Sequence, residues 1–310
     1  MQELVSIIIT TYGGKAAVLN AVESCLNQSY SHIEVIVVDD NGLGTDGQKK
    51  TVDLLYQYID GNKFLYIPHD VNKNASVARN TGIRASNGKY IAFLDDDDIF
   101  CNKKIENQVK AFEKLSDDYG VVYCTLKDIL EDGSIELHPA DQDGFVLYDF
   151  LMMKVSVCTS NIMVKKEYVD KLDGFDESFI RHQDWEFLAR LAAICKFSGI
   201  SYIGTIKHSK YVVKRFKAQQ AEAFRIHYWK TIDNLMPLLT PREQGLVRSH
   251  ECNEVAKLYF REKKFKKAIH YIIHSRRPQG FIIPLLLKPI KYIRSQLYKY
   301  NRRVKIVHGW

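Results

Sequence analysis

The chain lacks several features that would place it in particular classes of protein. Its 310 residues contain no run of about 18 apolar residues, so no membrane-spanning helix is expected. The six cysteines are scattered without a Cys-x-x-Cys pair, which argues against a disulfide framework or a zinc knuckle. The first residues lack the basic flank and cleavage site of a secretory signal. We therefore expect a globular cytoplasmic protein with reduced thiols.

Acidic residues are scarce in the carboxyl-terminal part of the chain. From Val255 to Trp310 there are 15 lysines and arginines but one acid, Glu262, which gives +14 and leaves −7 for the preceding residues. Such a tail favours an anionic partner, either a membrane surface or a nucleic acid. Residues 281–294 mix apolar and basic side chains, as do segments that lie on anionic membranes. A helix packed on the main domain with solvated lysines is the alternative.

The first hundred residues alternate between strand and helix patterns. Buried strands are expected at 4–10, 33–38, 64–67 and 90–94, and helices at 16–28, 51–59 and 76–85. This order predicts an α/β fold with a mostly parallel central sheet flanked by helices. From about residue 215 the pattern is almost wholly helical. We expect two domains, an α/β one at 1–212 and a helical, basic one at 213–310.

Three polar clusters fall at the ends of the expected strands. They are Thr10-Thr11-Tyr12, Asp39-Asp40 and the four aspartates from Asp95 to Asp98. Ligands of open α/β sheets bind beyond the carboxyl ends of the strands. The clusters are therefore expected to converge on one rim of the sheet.

The four consecutive aspartates after a buried strand are costly. Carboxylates a few ångströms apart repel each other, and some take up protons unless a cation lies among them. Mg²⁺ or Mn²⁺, bound by one or two carboxylates and phosphate oxygens, would fit, and Asp95 and Asp97 could both reach it. The alternative is a solvated acidic turn that caps a helix starting near Asn102. An EF-hand is excluded because Phe100 stands where glycine is needed.

Three further residues could take part in binding or catalysis, each with a structural alternative. Asp40 could accept hydrogen bonds from a base or ribose, although Asp-Asp-Asn-Gly is also an ordinary turn sequence. Arg79 could pair with phosphate or be a surface arginine. Asp184, at the start of an expected helix, could be a general base for an acceptor hydroxyl, a helix cap, or both.

Together these segments resemble the family 2 glycosyltransferases with a GT-A fold, over roughly residues 4–210. Val5-Ser6-Ile7-Ile8-Ile9-Thr10-Thr11-Tyr12 resembles the family's first strand, and Val37-Val38-Asp39-Asp40-Asn41 its nucleotide-contacting strand end. Ala78-Arg79-Asn80-Thr81-Gly82 and the run from Gly88 to Asp98 are similar to the stretch that leads to the DxD motif. Gly174-Phe175-Asp176-Glu177 and Gln183-Asp184-Trp185-Glu186-Phe187 are similar to the segment that carries the catalytic base.

The resemblance implies roles for the residues at the donor end of the site. Thr10 and Tyr12 would line the base pocket, Asp40 would contact the base, and Arg79 would lie near the diphosphate. Asp95 and Asp97 would form the DxD pair beside Asp96, with Asp97 the more direct metal ligand.

At the reacting end, the resemblance implies that Asp184 is the base. His208 falls where many relatives place a histidine near the diphosphate, where it would be a third metal ligand. A structural histidine is an equal alternative, because the residues around His208 match the family poorly.

The implied enzyme is an inverting, metal-dependent transferase with Mn²⁺ or Mg²⁺ and a nucleotide-sugar donor, UDP-linked by family precedent. The acceptor would be a glycan or lipid-linked hydroxyl in bacterial surface polysaccharide synthesis, at the inner face of the cell membrane. The QxxRW signature of processive members is absent, which favours single transfers. The helical region could equally serve a homodimer.

Two other functions were weighed. A sugar-phosphate nucleotidyltransferase would need a longer Gly-rich phosphate loop than Gly13-Gly14-Lys15. A nucleic-acid-binding protein could use the basic tail, but no RNA- or DNA-binding module is recognisable, so no nucleic acid is expected.

Overall fold

The computed structural model describes residues 2–59, 61, 63–209 and 216–275. In these residues one sheet contains ten strands: β1 (Val5–Thr11), β2 (Ile33–Asp39), β3 (Phe64–Pro68), β4 (Tyr90–Asp95), β5 (Ile99–Phe100), β6 (Tyr119–Leu130), β7 (Ile135–His138), β8 (Asp143–Gly144), β9 (Ile162–Lys165) and β10 (Lys196–Ser209). The strand order is β3-β2-β1-β4-β9-β6-β10-β5, with β7 beside β6 and β8 beside β10.

The same residues form ten α-helices. They are α1 (Ala17–Leu26), α2 (Asp46–Leu55), α3 (Ala75–Ala85), α4 (Lys104–Phe112), α5 (Leu147–Leu151), α6 (Lys166–Lys171), α7 (Gln183–Ile194), α8 (Ala218–Leu235), α9 (Pro241–Arg261) and α10 (Phe265–His274). Among these described helices, none is both long enough and apolar enough to cross a membrane.

The first four strands form a parallel half-sheet that helices cover on both faces. Strand β1 pairs in parallel with β2 and with β4, and β2 with β3. Alternate residues of β1 point to opposite faces. Ile7 and Ile9 join the core that includes Val18 and Val22 of α1, whereas Ile8 meets α3 on the other face. Strands β1, β2 and β4 are apolar almost throughout because both of their faces are buried.

The second half of the sheet is mixed. Strand β9 runs antiparallel to both β4 and β6, while β10 runs parallel to β6. Strands β6 and β7 form an antiparallel hairpin, and Asp132 and Gly133 lie in the connection between them. All six cysteines are free. The prediction of an α/β fold with a mostly parallel sheet, flanking helices and a helical extension is confirmed.

Two differences from the expected elements have physical causes. Helix α2 begins earlier than expected because the Thr45 side chain caps it by accepting from the backbone N–H of Gln48. Strand β10 was not expected as one strand of 14 residues, since Gly199 and Gly204 interrupt its apolar pattern. Both glycines are required by close packing, because a Cβ there would meet Ala140 or Cys124 within 2.6 Å.

The chain divides into two compact units. One comprises residues up to 209 together with Tyr228–Leu238, and the other comprises Phe216–His227 and residues 239–275. The expected domain boundary at 212/213 lies outside the described residues. The boundary stays a prediction.

Substituting Gly82 tests the packing of α3 on β1. A Cβ at Gly82 would lie 2.4 Å from Cγ2 of Ile8, so we expect Gly82→Ala to lower the free energy of unfolding by about 1–3 kcal/mol. The control is Gly245→Ala in α9, where a Cβ meets nothing within 4 Å. It should be neutral or stabilising by up to about 1 kcal/mol, because alanine favours helix. Thermal unfolding of both variants is the measurement, and a stable Gly82→Ala protein would contradict the packing.

Candidate active site

A cleft of about 460 Å³ lies at the carboxyl ends of β1, β2 and β4. Thr11 pairs with Asp39 and Thr10 with Asp95, so the three predicted polar clusters do meet at one rim. Of the predicted site residues, those that line this cleft are Thr10, Tyr12, Asp40, Arg79, Asp95, Asp96 and Asp97. Tyr12 stands at its mouth with 58% of its surface exposed. Gln183, next to the predicted base, also lines the cleft.

The four aspartates are neutralised largely by the protein itself. Arg79 of α3 lies 2.9 Å from Asp95, Lys15 of the β1–α1 loop lies 2.6 Å from Asp96, and Lys207 of β10 lies 3.6 Å from Asp98. Asp97 is 3.8 Å from Lys15. Three cations from three separate elements therefore offset four carboxylates. Lys15 and Lys207 were not identified from the sequence, which pointed only to a bound metal ion as the source of positive charge.

Arg79 is a buried cation with a fixed position. Its Nη2 donates to Asp95 Oδ1, and its guanidinium lies 5.3 Å from the ring centroid of Phe175. Burial alone would raise the pKa of Asp95, but Arg79, Lys207 and Lys15 outweigh it and hold that pKa below its usual range. The alternative of a surface arginine is excluded, because Arg79 is 9% exposed.

Asp96 ties the end of β4 to the loop after β1. Its carboxylate accepts from Thr11 Oγ1 at 2.8 Å and from Lys15 Nζ at 2.6 Å. Burial raises its pKa, and Lys15 partly offsets the shift. Asp97, by contrast, keeps a side chain that is 53% exposed at the cleft. Of the four carboxylates, that of Asp97 is the most accessible to a ligand.

Asp98 is the most deeply buried of the four. Its side chain is 1% exposed, and in the described part of the chain neither carboxylate oxygen has a hydrogen-bond partner. Burial raises the pKa of Asp98 to about 7, although Lys207 opposes this shift. Asp98 and Asp95 in turn raise the pKa of Lys207 against its own burial. Lys207 therefore carries the charge that makes the turn from Asp95 to Asp98 tolerable.

Asp40 lines the cleft, but protein donors already occupy its carboxylate. One oxygen accepts from His69 Nδ1 and the backbone N–H of Lys73, and the other from Asn72 Nδ2 and the backbone N–H of Asn74. A carboxylate offers about four acceptor positions, and all four are used here. Asp40 thereby holds the loop that leads to Asn74, which has a φ of 83° and caps α3.

Asp184 lies in the first turn of α7 and on the same side of the molecule as the aspartate cluster. Burial raises its pKa above that of an ordinary aspartate, Arg79 lowers it, and Asp95 raises it further. Arg79 and Asp95 are thus close enough to act on Asp184 through their charges. The N-cap of α7 is His182 at a φ of 61°, so Asp184 is not the capping residue.

His208 and Lys207 are neighbours on β10, yet only Lys207 is found at the aspartate cluster. Successive residues of a strand point to opposite faces, so His208 points away from the side on which Lys207 reaches Asp98. His208 is exposed and does not line the cleft. Its predicted role as a metal ligand stays a prediction that this placement does not favour.

A second cavity, of about 550 Å³, contains none of the predicted site residues. It lies between α3, α7 and residues 172–177, with Thr231, Asn234 and Leu235 at its edge. Its main ion pair is structural, because Arg190 donates to Glu186 and to the carbonyls of Leu172 and Gly174. This cavity is larger than the cleft, and its lining includes the acidic residues Asp173, Asp176 and Glu177.

The cleft offers some, but not all, of the ligands that a hard divalent cation requires. Asp95 and Asp97 both present carboxylates to it, and phosphate oxygens of a ligand would complete the coordination of Mg²⁺ or Mn²⁺. Across residues 2–209 and 216–275, with the gaps noted above, no three His, Cys, Asp or Glu side chains form a metal site by themselves.

Lys207 can be tested against its neighbour. We expect Lys207→Met to lower the free energy of unfolding by about 1–3 kcal/mol at pH 8, because it leaves the Asp98 charge buried and unpaired. Lys207 is itself 36% exposed, which keeps the effect below that of a fully buried pair. His208→Ala should change this free energy by less than about 0.5 kcal/mol.

The effect of Lys207→Met should depend on pH. The pKa of Asp98 rises from 3.8 to about 7 on folding. Protonation of Asp98 therefore stabilises the folded state fully below pH 3.8, and this stabilisation is lost as the pH rises through about 7. At pH 5 Asp98 is protonated in the folded protein and carries no charge. Lys207→Met should therefore lower the free energy of unfolding less at pH 5 than at pH 8. Denaturant unfolding at pH 5 and pH 8 is the measurement, and equal losses at both pH values would contradict the pairing.

Comparison with known proteins places this cleft in context. The model of glycosyl transferase family 2 matches residues 6–172. AmsB, an amylovoran biosynthesis glycosyltransferase of Erwinia amylovora, is 29% identical over 249 residues, 77% of this chain and 79% of AmsB. WfaP of Escherichia coli, a UDP-Glc:alpha-D-GlcNAc-diphosphoundecaprenol beta-1,3-glucosyltransferase, is 35% identical over 176 residues, 55% of this chain and 67% of WfaP.

Some relatives are much longer than this chain. An uncharacterized glycosyltransferase of Rickettsia bellii is 31% identical over 229 residues, which are 71% of this chain but 32% of that protein. The chain therefore spans about a third of the length of this relative.

The fold also matches a solved structure. S. aureus TarS 1–349 in complex with UDP-GlcNAc has a TM-score of 0.58 at 15% identity, and the match covers 89% of this chain and 92% of that one. At this identity the likeness establishes the fold alone, and the predicted GT-A fold is confirmed. Since the family model covers more than half of the residues, this chain belongs to glycosyl transferase family 2.

Proposed function

We propose that this protein transfers a single sugar from a nucleotide diphosphate donor to an acceptor hydroxyl, with inversion at the anomeric carbon. The observation that carries the proposal is the meeting of Arg79, Asp95 and Asp97 in one cleft, with Asp184 close to it. A cation and carboxylates at the ends of parallel strands suit a diphosphate, whereas a buried carboxylate with a raised pKa beside them suits a base.

Binding of the donor is assigned to the β1, β2 and α3 side of the cleft. The exposed ring of Tyr12 can cover a base, and Thr10 lines the wall beside it. Arg79 is held by Asp95 and Phe175, so its guanidinium is positioned before the diphosphate arrives. A UDP-linked donor is supported by TarS, whose structure holds UDP-GlcNAc, and by WfaP, whose name specifies UDP-Glc.

Asp40 is assigned a supporting role in this scheme. Since its carboxylate accepts four hydrogen bonds from residues 69–74, it shapes the wall of the base pocket, and a direct contact with the base would have to displace one of these donors. Asp96 acts similarly by fixing the loop that carries Tyr12 and Lys15.

Activation of the acceptor is assigned to Asp184. Burial raises the pKa of this carboxyl, which makes it a stronger base than an ordinary aspartate. It would accept the proton of the acceptor hydroxyl while the oxygen attacks the anomeric carbon from the face opposite the leaving group. A single displacement of this kind inverts the configuration.

Departure of the nucleoside diphosphate requires positive charge. Arg79 and Lys15 lie at the cleft and supply part of it. A bound Mn²⁺ or Mg²⁺, held by Asp97 and Asp95, would neutralise further negative charge on the leaving diphosphate. The assignment is supported by the turn after β4, in which the backbone N–H of Asp98 donates to the carbonyl of Asp95 and both Asp95 and Asp97 line the cleft.

The proposed acceptor is a glycan or lipid-linked hydroxyl in bacterial polysaccharide synthesis, at the cytoplasmic face of the membrane. AmsB is named for amylovoran biosynthesis, and the acceptor in the name of WfaP carries a diphosphoundecaprenol lipid. The predicted membrane segment at 281–294 lies outside the described residues, so it stays a prediction.

The donor and metal assignments are tested by one assay. With a panel of nucleotide-sugars and Mn²⁺, release of nucleoside diphosphate should occur and should stop with a chelator. Asp97→Ala should lower this activity at least about 100-fold, since the loss removes charge stabilisation in the transition state. The control is Asp53→Ala, an exposed carboxylate on α2, which should keep full activity. Full activity of Asp97→Ala would remove the metal assignment.

The base assignment is tested by the pH profile. Asp184→Asn should lower kcat by about 10²–10⁴ with little change in UDP affinity, because the proton acceptor is lost and the donor contacts are kept. In the wild type, kcat should fall as the pH drops through the raised pKa of Asp184, since protonation removes the base.

The matched control for Asp184→Asn is Asp173→Asn. Residue 173 has a φ of 55°, which asparagine tolerates, so activity and folding should be unchanged. Retention of kcat in Asp184→Asn, or retention of anomeric configuration in the product by NMR, would contradict the proposed displacement.

A further inference from the structure

Helix α10 presents an apolar stripe to solvent. Phe265, Ile269 and Ile273 are 53%, 49% and 72% exposed. They are spaced by four residues, so they lie along one face of the helix. Scattered exposed apolar residues are common, but three large ones in register on one short helix form a surface that another body can cover.

The opposite face of α10 is fixed to its own unit. Ala268 is fully buried, and the Tyr271 ring stacks on Tyr259 with 6.2 Å between centroids. Both tyrosine hydroxyls donate to the Glu222 carboxylate. Helix α10 therefore cannot turn its apolar stripe inward without breaking this cluster.

The surroundings of the stripe are cationic. Lys263 and Lys266 are exposed, and in the described residues neither forms an ion pair. Lys264 pairs with Glu262, and Lys267 lies against the Tyr259 ring. The sequence contains no acidic residue after Glu262. A partner for this face must therefore be apolar where the stripe lies and anionic around it.

We propose that this face of α10 rests on the surface of an anionic lipid bilayer. Phenylalanine and isoleucine would enter the boundary between headgroups and acyl chains, while Lys263 and Lys266 remain at the phosphates. An anionic bilayer combines an apolar interior with an anionic surface. Insertion of a few apolar side chains into it does not require the large contact area of a stable protein interface.

Two other partners fit less well. A stable dimer requires about 800 Å² from each copy, whereas three partly buried side chains offer much less. A nucleic acid would engage the lysines and stack on aromatic rings, but it would leave the exposed isoleucines in water.

The inference deepens the proposed function, because a lipid-linked acceptor resides in the same kind of surface. The lipid-binding inference rests on the proposed function only where it links the membrane surface to a lipid-linked acceptor. Binding to vesicles is measured without donor or acceptor. The proposed lipid-binding face can therefore be disproved while the transferase activity is confirmed, and the transferase activity can be disproved while lipid binding is confirmed.

The test is sedimentation of the full chain with vesicles of phosphatidylglycerol and phosphatidylcholine. The wild type should bind, and binding should weaken with salt and on pure phosphatidylcholine. Ile269→Ser with Ile273→Ser should weaken binding at least tenfold. Lys266→Glu should also weaken it and should reduce its salt dependence. Both variants should keep the wild-type melting temperature, since these side chains are exposed.

The matched control replaces two exposed apolar residues elsewhere. Ile135 and Leu137 of β7 are 55% and 56% exposed, and Ile135→Ser with Leu137→Ser should leave vesicle binding unchanged. Unchanged binding of the α10 variant would overturn the proposal. So would a dimer in sedimentation equilibrium without lipid that the α10 variant converts to monomer, or salt-sensitive RNA binding in place of vesicle binding.

Discussion

The charge balance at the end of β4 is the constraint on which the rest of the site depends. Four carboxylates follow one buried strand, and they stay together because Arg79, Lys15 and Lys207 reach them from a helix, a loop and a distant strand. Each cation has its own carboxylate, and Asp97 is left as the one that is half exposed. Any movement of α3, of the β1–α1 loop or of β10 would leave a buried negative charge without its partner, which is strongly unfavourable.

The same balance links folding to the proposed chemistry. The parallel register of β1, β2 and β4 pairs Thr11 with Asp39 and Thr10 with Asp95, so the loops that follow share one cleft. The Asp40 carboxylate accepts hydrogen bonds from the loop that leads into α3, and this helix carries Arg79. A donor diphosphate would therefore meet a cation whose position is already set by the fold, as preorganised electrostatic catalysis requires.

The local part of this arrangement could be predicted from the sequence, and the long-range part could not. Apolar runs that end in polar residues identified the strand ends, and hence Thr10, Asp40 and Asp95. The partners Lys15 and Lys207 lie 81 and 109 residues away from Asp96 and Asp98, and no periodicity relates them. Only one face of β10 faces the cluster, and the interrupted apolar pattern of that strand did not reveal that this face carries Lys207 rather than His208.

The most direct test of the account is a crystal structure of the protein with UDP and Mn²⁺. We expect the diphosphate to lie between Arg79 and Asp97, with the base beside Tyr12 and open space in front of Asp184. A nucleotide bound in the larger cavity beside Arg190, or a diphosphate without contact to Arg79 and Asp97, would contradict it.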